Sequence, residues 1–342
     1  MLRCLELAKN GLGTTYPNPL VGSVIVYDNK IIGEGWHKKS GEAHAEVNAI
    51  HSVKNKSLLK KATIYVSLEP CSHFGKTPPC CDLIIGNEIP NVVVGTVDPN
   101  IKVAGNGIKK LIEAGKNVTV GVLEAKCKEL NKRFVTFHEK KRPYVILKWA
   151  ESQDGFIAPI KNLRNEKKPI WITNVFSQQL VHKWRSEEQA ILVGTNTVIE
   201  DNPKLNVRNW TGNNPIRIVL DQNNRIPKDS VIFDNQVKTI IFSKSKNTIQ
   251  QENTTFEVVD FEQDLAEQIL KVLYENKIQS VIIEGGSQTL QTFINENLWD
   301  ESRQFISNKT FAEGIKAPII ALKNSKKQYV ENDLLIISRN YD

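Results

Sequence analysis

Strand-like and helix-like segments alternate along the whole chain, and this alternation constrains its fold more than any other feature. In the first half, apolar strands such as VGSVIVYDN and ATIYVSLEP are separated by segments with helical spacing of apolar residues, such as AHAEVNAIHSV. A second alternating series begins at YVILKWAES and runs to SVIIEGG and QTLQTFINENL. Such alternation predicts an α/β protein. The charged run from Glu139 to Arg142, followed by Pro143, predicts a boundary between two domains, 1–142 and 143–342.

More local patterns predict individual elements. VGSVIVYDN and KIIGEGWH are expected to form a hairpin that turns at Asp28-Asn29, within a first half of about five strands. PIWIT is predicted to be a strand of the second half. Residues 245–255, rich in Asn, Gln and Thr, are predicted to form an exposed loop or a sheet edge.

Composition limits the class of protein. The 342 residues suffice for two domains, and the net charge of +7 suits nucleic acid, small phosphorylated substrates or simply a basic surface. No apolar run of about 18 residues is present, so no transmembrane helix is expected. MLRCLELAKNG is predicted to be an amphipathic helix with Leu2, Leu5 and Ala8 on one side, not a signal peptide. The five cysteines lack the spacing of a disulfide framework, which predicts reduced thiols in a cytoplasmic enzyme.

Three potential zinc ligands lie in two short segments: His44 in GEAHAEVNAI, and Cys71 and Cys80 in EPCSHFGKTPPCC. Zinc favours imidazole and thiolate ligands, and a catalytic zinc keeps three of them and leaves a fourth position to water, whose pKa it lowers. A nearby carboxylate must then carry protons between water and substrate, and Glu46 is the candidate. His-x-Glu followed by two Pro-Cys pairs is the pattern of zinc deaminases that act on amino-pyrimidine or purine carbons.

This interpretation makes geometric demands. Inside a helix, His44 and Glu46 would diverge by about 200°, so we expect the helix to start just after His44, with Glu46 in its first turn. Cys80 is expected at the N-terminus of the next helix, where peptide dipoles stabilise a thiolate. A structural site with His73 or Cys81 as a fourth ligand is the alternative.

The chain resembles the bifunctional riboflavin-biosynthesis family that joins a diaminohydroxyphosphoribosylaminopyrimidine deaminase to a 5-amino-6-(5-phosphoribosylamino)uracil reductase. The motifs are YPNPLVGSVIV, GEGWH, HAEVNAI, EPCSHFGKTPPCCDLII and DPNIKVAGNGI, followed by KWAESQDGFIA and DNPKLNVR. The loop inserted between Cys71 and Cys80 is specific, because zinc deaminases in general lack it. The resemblance implies an α/β fold, with an N-terminal cytidine-deaminase-like three-layer α/β/α domain followed by a dihydrofolate-reductase-like α/β domain.

The resemblance also implies two reactions. The first is zinc-dependent hydrolytic deamination of 2,5-diamino-6-(5-phosphoribosylamino)pyrimidin-4-one to 5-amino-6-(5-phosphoribosylamino)uracil. The second is NADPH-dependent reduction of the ribosyl group to a ribityl chain. One catalytic Zn²⁺, NADPH, a phosphoribosyl-aminopyrimidine substrate and a homo-oligomer (dimer or tetramer) are implied, without a nucleic acid or membrane partner.

In the first half, the resemblance implies His44, Cys71 and Cys80 as zinc ligands and Glu46 as the proton carrier. It implies a substrate site lined by Asn18, His37, His73 and Lys76. Lys76 could meet a phosphate as a point charge, and Asn18 offers a donor and an acceptor to a base edge.

In the second half, SVIIEGGSQTLQTFI is a strand, a Gly-rich turn and a helix, which can hold a dinucleotide phosphate or can be an ordinary tight turn. Position in the family implies a catalytic and cofactor-facing Asp201. The implied substrate-binding residues are Arg185, Leu205, Arg208 and Glu284, with Arg185 and Arg208 as phosphate ligands. The implied cofactor-binding residues are Ala150, Trp171, Thr197, Gly285, Gly286, Ser287 and Thr289.

Two positions depart from the family: Pro169 stands where a substrate-contacting serine is common, and Phe156 where Arg or Lys is common. The alternatives to the two-step enzyme are a transfer-RNA base deaminase, a monofunctional deaminase whose second half is a scaffold, and a binding protein with structural zinc. The second half has no evident stripe of aromatic and basic residues for stacking bases, which favours the two-step enzyme over the base deaminase.

Overall fold

The computed structural model describes residues 1–74, 78–100, 103–160, 170–245, 252–321 and 325–340. The chain divides into two compact units, Met1–Lys141 and Arg142–Asp342. Lys76 and Pro169 lie outside the described residues.

The N-terminal unit is built on a five-stranded sheet in the order β2-β1-β3-β4-β5. β1 pairs antiparallel with β2 and β3, whereas β3, β4 and β5 are parallel. The strands are β1 (Gly22–Tyr27), β2 (Lys30–Trp36), β3 (Thr63–Val66), β4 (Asn91–Val94) and β5 (Asn117–Val120). The helices are α1 (Leu2–Ala8), α2 (Ala45–Ser52), α3 (Cys80–Gly86), α4 (Asn106–Glu113), α5 (Glu124–Leu130) and α6 (Lys132–Glu139), with 3₁₀ turns at Lys9–Gly11 and Lys56–Lys61.

Turn chemistry sets the hairpin that opens this sheet. Asp28 and Asn29 have φ values of 49° and 56°, the left-handed conformation that Asp and Asn tolerate, and they join β1 to β2. Ile25, Ile64 and Val92, on three neighbouring strands, are fully buried in one core with side chains of α2 and α3. The predicted hairpin and the five strands are therefore confirmed.

The first helix corrects one expectation. Leu2 is exposed, whereas Cys4, Leu5, Leu7 and Ala8 are buried. Of the predicted side, Leu5 and Ala8 are therefore buried and Leu2 is not; the buried face is wider than predicted, because Cys4 and Leu7 also pack against β1.

The C-terminal unit is built on a nine-stranded sheet in the order β11-β10-β9-β8-β12-β6-β13-β16-β15. The strands are β6 (Tyr144–Glu151), β7 (Phe156–Pro159), β8 (Ala190–Gly194), β9 (Ile216–Leu220), β10 (Thr239–Ser243), β11 (Thr254–Val258), β12 (Ser280–Glu284), β13 (Glu301–Ile306), β14 (Gly314–Lys316), β15 (Lys326–Val330) and β16 (Asp333–Arg339). The helices are α7 (Val175–Glu187), α8 (Thr195–Asp201), α9 (Leu265–Glu275) and α10 (Ser287–Asn295), with a 3₁₀ turn at Val231–Phe233.

Most of this sheet is parallel. The pairs from β11 to β13 are parallel, and only β13–β16 and β16–β15 are antiparallel. Apolar clusters cover both faces, one against α9 and α10 and the other against α7 and α8. A doubly covered parallel sheet presents its ligand site at the carboxyl ends of its strands. β14 and β7 form a separate two-stranded antiparallel ribbon that begins at Phe156.

Two local predictions in this unit have different outcomes. Of the segment PIWIT, the described residues 170–173 form no strand: Ile170 and Trp171 are exposed, and no ladder pairs them. That prediction is wrong, because an apolar pattern alone does not supply a strand neighbour. Within 245–255, Thr254 begins β11, which is an edge strand, as one of the two expected outcomes has it.

In the part of the chain that the structure describes, no helix is long and apolar enough to cross a membrane. All five cysteines are unpaired. The free cysteines agree with the reduced thiols that the sequence predicts.

Candidate active sites

The first candidate site is formed where three loops of the N-terminal unit meet. His44 is the N-cap of α2, and Cys80 is the first residue of α3. Cys71 lies in the segment that leaves β3. Nδ1 of His44 lies 3.6 Å from Sγ of Cys71 and 3.3 Å from Sγ of Cys80. The expected start of α2 just after His44 is therefore confirmed, with Glu46 in its first turn.

The three ligand atoms fit a tetrahedral zinc site. They lie within 4.8 Å of one another. Zinc bonds of about 2.3 Å to sulfur and about 2.0 Å to nitrogen, at tetrahedral angles, put a sulfur and a nitrogen about 3.5 Å apart. The two measured nitrogen–sulfur distances lie on either side of that value, so these side chains could bind one ion with little rearrangement.

Of the two thiols, that of Cys71 has the lowered pKa, whereas the hydrogen bond with Cys71 raises the pKa of Cys80. The hydrogen bond with Cys80 lowers the pKa of the Cys71 thiol, and the backbone N–H of Cys80 donates to Cys71 Sγ at 3.3 Å. The hydrogen bond with Cys71 raises the pKa of His44. Three groups that share protons this closely are poised to release them when a metal binds.

Neither alternative fourth ligand belongs to this group. The Cys81 thiol points away and donates to the carbonyl oxygens of Pro70 at 3.3 Å and Gly107 at 3.5 Å. Burial raises the pKa of Cys81 to about 12, so it stays a thiol at neutral pH. His73 is exposed. Among the described residues, the metal-binding group is His44, Cys71 and Cys80 alone.

Glu46 lies beside the three ligands and is 3% exposed. Burial, followed by the negative charge on Cys71, raises the pKa of the Glu46 carboxyl to about 7. A proton carrier works best when its pKa lies near the working pH. The position and the pKa of Glu46 therefore suit the role that the sequence predicts for it.

Asn18 and His37 form a pair beside the ligands. Nδ2 of Asn18 lies 3.0 Å from Nε2 of His37, and Nδ1 of His37 lies 3.1 Å from the carbonyl oxygen of Ala43. The amide of Asn18 donates to Nε2, so the ring donates from Nδ1 and is neutral. Burial lowers the pKa of His37, which agrees with a neutral ring. The rings of His37 and His44 are 5.4 Å apart, so this pair borders the zinc group.

Glu69 is a buried carboxylate that the sequence predictions missed. Its Oε1 accepts from the backbone N–H of Gly107 at 2.8 Å and of Ile108 at 3.4 Å. Its Oε2 accepts from the N–H of Gly105 at 3.0 Å and of Asp98 at 3.2 Å. The sequence feature that could have identified Glu69 is its position in EPC, just after a buried strand. Glu69 thus fixes the segment that carries Cys71 to the start of α4.

Glycine is required where these two segments touch. A Cβ atom on Gly107 would lie 2.1 Å from the carbonyl oxygen of Pro70, the residue between Glu69 and Cys71. Gly105 has a φ of 78°. The motif DPNIKVAGNGI therefore serves to support the cysteine loop.

We predict that Glu69→Gln destabilises the N-terminal unit by about 1–3 kcal/mol, because one oxygen that accepts backbone hydrogen bonds becomes an amide donor. Zinc affinity should fall about 10- to 100-fold as the Cys71 loop loosens, the effect expected of a residue supporting metal ligands. Chelator competition and denaturant unfolding measure both effects. The control is Glu113→Gln, an exposed carboxylate on α4. Equal zinc affinity in the two variants would contradict the supporting role of Glu69.

The second candidate site is a cavity of about 500 Å³ at the carboxyl ends of β6, β8 and β12. Its lining includes most residues predicted for the second half: Ala150, Trp171, Arg185, Thr197, Asp201, Leu205, Arg208, Glu284, Gly285 and Gly286. Ser287 and Thr289 are not among the described residues that line it. Ser287 is the first residue of α10. Oγ1 of Thr289 lies 2.6 Å from the position that a Cβ atom added to Gly194 would occupy.

A network of charges forms one wall of this cavity. Nε and Nη2 of Arg185 donate to Oε1 and Oε2 of Glu284, both at 2.9 Å. Nζ of Lys148 donates to Oε2 of Glu284 at 3.3 Å. All three side chains are less than 15% exposed, and Glu284 pairs directly with Lys148 in the register of β12 and β6. The wall therefore carries two cations and one anion.

Burial would raise the pKa of Glu284, but the charges of Arg185 and Lys148 outweigh it and lower that pKa to about 2. Burial lowers the pKa of Lys148, with the charge of Glu284 opposing it. Sequence reasoning missed Lys148. Its signal is a single lysine inside the otherwise buried strand YVILKWAE.

Arg185 keeps donors that Glu284 does not use. Its Nε and one N–H of its Nη2 are directed at Glu284. The Nη1–Nη2 edge still offers paired N–H donors, with Nη1 at 3.5 Å from the carbonyl oxygen of Asn206. The phosphate-binding role implied for Arg185 therefore stays a prediction. Arg208 is exposed at the rim, where its Nη1 donates to Asn206 Oδ1 at 3.2 Å.

Gly285 and Gly286 expose backbone to the cavity where β12 meets α10. Cβ atoms added to them would lie 3.7 and 4.0 Å from Thr197 Oγ1, so a side chain would fill the space between β12 and α8. Gly286 is the N-cap of α10, whose first N–H groups have no partner within the helix. This backbone has the features that hold a dinucleotide phosphate.

Comparisons with known proteins agree with these two sites. The family model for the cytidine and deoxycytidylate deaminase zinc-binding region matches residues 1–96, and the RibD C-terminal domain matches residues 143–328. The riboflavin biosynthesis protein RibD of Aquifex aeolicus is 40% identical, over 100% of this chain and 98% of its own length. RibD of Escherichia coli is 35% identical, over 90% of this chain and 87% of its own.

Solved structures agree over the full length. A diaminohydroxyphosphoribosylaminopyrimidine deaminase/5-amino-6-(5-phosphoribosylamino)uracil reductase from Thermotoga maritima is 39% identical with a TM-score of 0.88, and covers 99% of this chain and 97% of its own. RibD of Acinetobacter baumannii is 31% identical with a TM-score of 0.90, and covers 100% and 98%. The predicted fold class, a deaminase domain followed by a reductase domain, is confirmed.

Proposed function

The chain belongs to the RibD family of bifunctional deaminase–reductases of riboflavin biosynthesis, and from this premise we propose how its two units divide the work. Residues 1–142 form the deaminase, and residues 143–342 form the reductase. The deaminase replaces the 2-amino group of 2,5-diamino-6-(5-phosphoribosylamino)pyrimidin-4-one by oxygen. The reductase then converts the ribosyl group of the product to a ribityl chain. The three-ligand group beside Glu46 is the observation that carries the proposal.

In the deaminase, His44, Cys71 and Cys80 would hold the zinc, which when bound supplies a Lewis acid that activates water. Glu46 takes a proton from the attacking water and returns it to the departing amino group as ammonia forms. Its pKa of about 7 lets one carboxyl do both at neutral pH. Asn18 and neutral His37 orient the pyrimidine edge, and His73 and Lys76 serve the phosphoribosyl end.

In the reductase, NADPH supplies the hydride when bound. Gly285, Gly286 and Ser287 would hold its phosphates, and Ala150, Trp171, Thr197 and Thr289 would support the rest of it. Nη1 of Arg185, together with Leu205 and Arg208, binds the phosphoribosyl chain. Asp201, at the end of α8, handles the proton that accompanies opening of the ribose ring and reduction of the resulting C1′=N bond. Glu284 holds Arg185 and Lys148 against this site.

We also propose a cytoplasmic homo-oligomer, a dimer or tetramer, with no nucleic acid or membrane partner. The five unpaired cysteines support a reducing compartment. Light scattering on the purified protein distinguishes a dimer or tetramer from a monomer, and a monomer would contradict this part of the proposal.

Two assays test the proposed function. Ammonia release is measured with the diamino precursor, and NADPH oxidation is followed by absorbance with the deaminated phosphoribosyl substrate. Both activities are expected. Ammonia release without NADPH oxidation would instead identify a monofunctional deaminase. Ammonia release from transfer RNA, and none from the pyrimidine, would identify a base deaminase.

A further inference from the structure

An exposed arginine stands at the mouth of the C-terminal cavity. Arg225 follows β9, and its Nη2 donates to Oδ1 of Asn196 at 2.9 Å. Asn196 lines the cavity. Among the residues that the structure describes, no carboxylate forms an ion pair with Arg225, so its charge is not neutralised by a neighbour.

The order of the strands places Arg225 within reach of a dinucleotide bound at Gly285 and Gly286. β12, β8 and β9 are consecutive parallel strands, so β9 lies two strands from Gly285 and Gly286. At the usual strand spacing this separation is roughly 10 Å. A dinucleotide with its phosphates at Gly285 and Gly286 can lay its adenosine along this edge and reach the end of β9.

The neighbouring Asp221 would ordinarily argue against a phosphate. An acidic side chain at a strand end in a dinucleotide site usually binds the ribose hydroxyls and selects NAD. Here Oδ1 of Asp221 accepts from the N–H of Arg225 at 2.9 Å, and Oδ2 accepts from the N–H of Ile226 at 3.0 Å. Asp221 is 3% exposed. Its carboxylate therefore accepts backbone hydrogen bonds within the turn, and its burial keeps it from binding the hydroxyl groups of a ribose.

A second cation lies on the adjacent strand end. Lys244 follows β10, is exposed, and donates its backbone N–H to the carbonyl oxygen of Gln222 at 3.1 Å. The loops after β9 and β10 are joined by this bond. The edge beyond the cavity therefore presents two positive side chains, while Asp221 is buried; the exposed carboxylate of Glu262 accepts from Nε2 of Gln222 at 3.4 Å.

We propose that Arg225 recognises the 2′-phosphate of NADPH and makes the reductase prefer NADPH to NADH. A guanidinium suits this role because it binds phosphate with paired, charge-assisted hydrogen bonds. Asp221 fixes the turn from which Arg225 projects. The inference rests on the proposed reductase function of the C-terminal unit.

Calorimetric titration of the zinc-loaded, full-length protein with NADP⁺ and with NAD⁺ tests the proposal by binding alone. Arg225→Gln should weaken NADP⁺ binding about 10- to 100-fold and change NAD⁺ binding less than about threefold. Arg225→Lys should retain part of the preference. The control is Lys228→Gln, which removes the same charge from an exposed position in the same loop and should leave both affinities unchanged.

Unchanged NADP⁺ affinity in Arg225→Gln, or equal weakening of NADP⁺ and NAD⁺, would overturn the assignment of Arg225 while leaving the reductase function intact. A wild-type protein that binds neither dinucleotide would overturn both the inference and the reductase function.

Discussion

Glu46→Gln is expected to lower the rate of ammonia release about 10²- to 10⁴-fold, the usual contribution of a positioned acid–base group. Gln has the same shape but cannot accept and return a proton. Zinc content should stay at the wild-type level, because the ligands His44, Cys71 and Cys80 are untouched. NADPH oxidation with the deaminated substrate should also be unchanged, because that activity is assigned to the C-terminal unit.

Glu42→Gln is the matched control for this experiment. Glu42 is exposed and lies two residues before His44, so its change of charge should have little effect on ammonia release. If Glu46→Gln released ammonia at the wild-type rate, the proton-carrying role of Glu46 would be wrong. If it lost zinc as well, the loss of rate would no longer report on proton transfer.

Glu284→Gln is expected to destabilise the C-terminal unit by about 3–5 kcal/mol and to abolish most NADPH oxidation. The reason is that Arg185 and Lys148 would remain buried without their counter-charge. Denaturant unfolding followed by tryptophan fluorescence reports mainly on this unit, because every tryptophan except Trp36 lies beyond residue 142. Ammonia release should persist under native conditions.

The effect of Glu284→Gln should also depend on pH. The folded-state pKa of Glu284 is lowered to about 2, whereas an unfolded glutamate titrates near about 4.3. Its stabilising contribution is therefore present above about pH 4.3 and is lost as the pH falls towards 2. The stability difference between wild type and variant should shrink over that range. Glu275→Gln, at an exposed position on α9, should change stability by less than about 0.5 kcal/mol. A pH-independent difference would contradict this account of the charged wall.

Much of the N-terminal unit was predictable because its signals are local. Asp28-Asn29 fixes the hairpin. Gly115, with a φ of 73°, lies two residues after the last residue of α4, where the helix ends. His44, Glu46 and Cys80 were placed correctly relative to helix starts, because only that geometry lets the two sides of the metal site meet. Glu69 was missed because its partners, the N–H groups of Asp98, Gly105, Gly107 and Ile108, lie 29 to 39 residues away.

The C-terminal unit was less predictable because its pairing is long-range. β13 pairs with β6 from more than 150 residues away, so no local pattern distinguishes ESRQFI as a strand. Lys148 was missed because its importance depends on Arg185 and Glu284, which reach it from α7 and β12. Conversely, Trp171 lies in a locally strand-like segment that pairs with no strand among the described residues.

The most direct test of the central claim is X-ray absorption spectroscopy of zinc bound to the purified full-length protein. The account predicts one zinc per chain, with two sulfur ligands at about 2.3 Å, one imidazole nitrogen at about 2.0 Å and one light-atom ligand from solvent. Three or four sulfur ligands, or a second imidazole completing a closed site, would contradict it, because the position needed for water would then be filled by the protein.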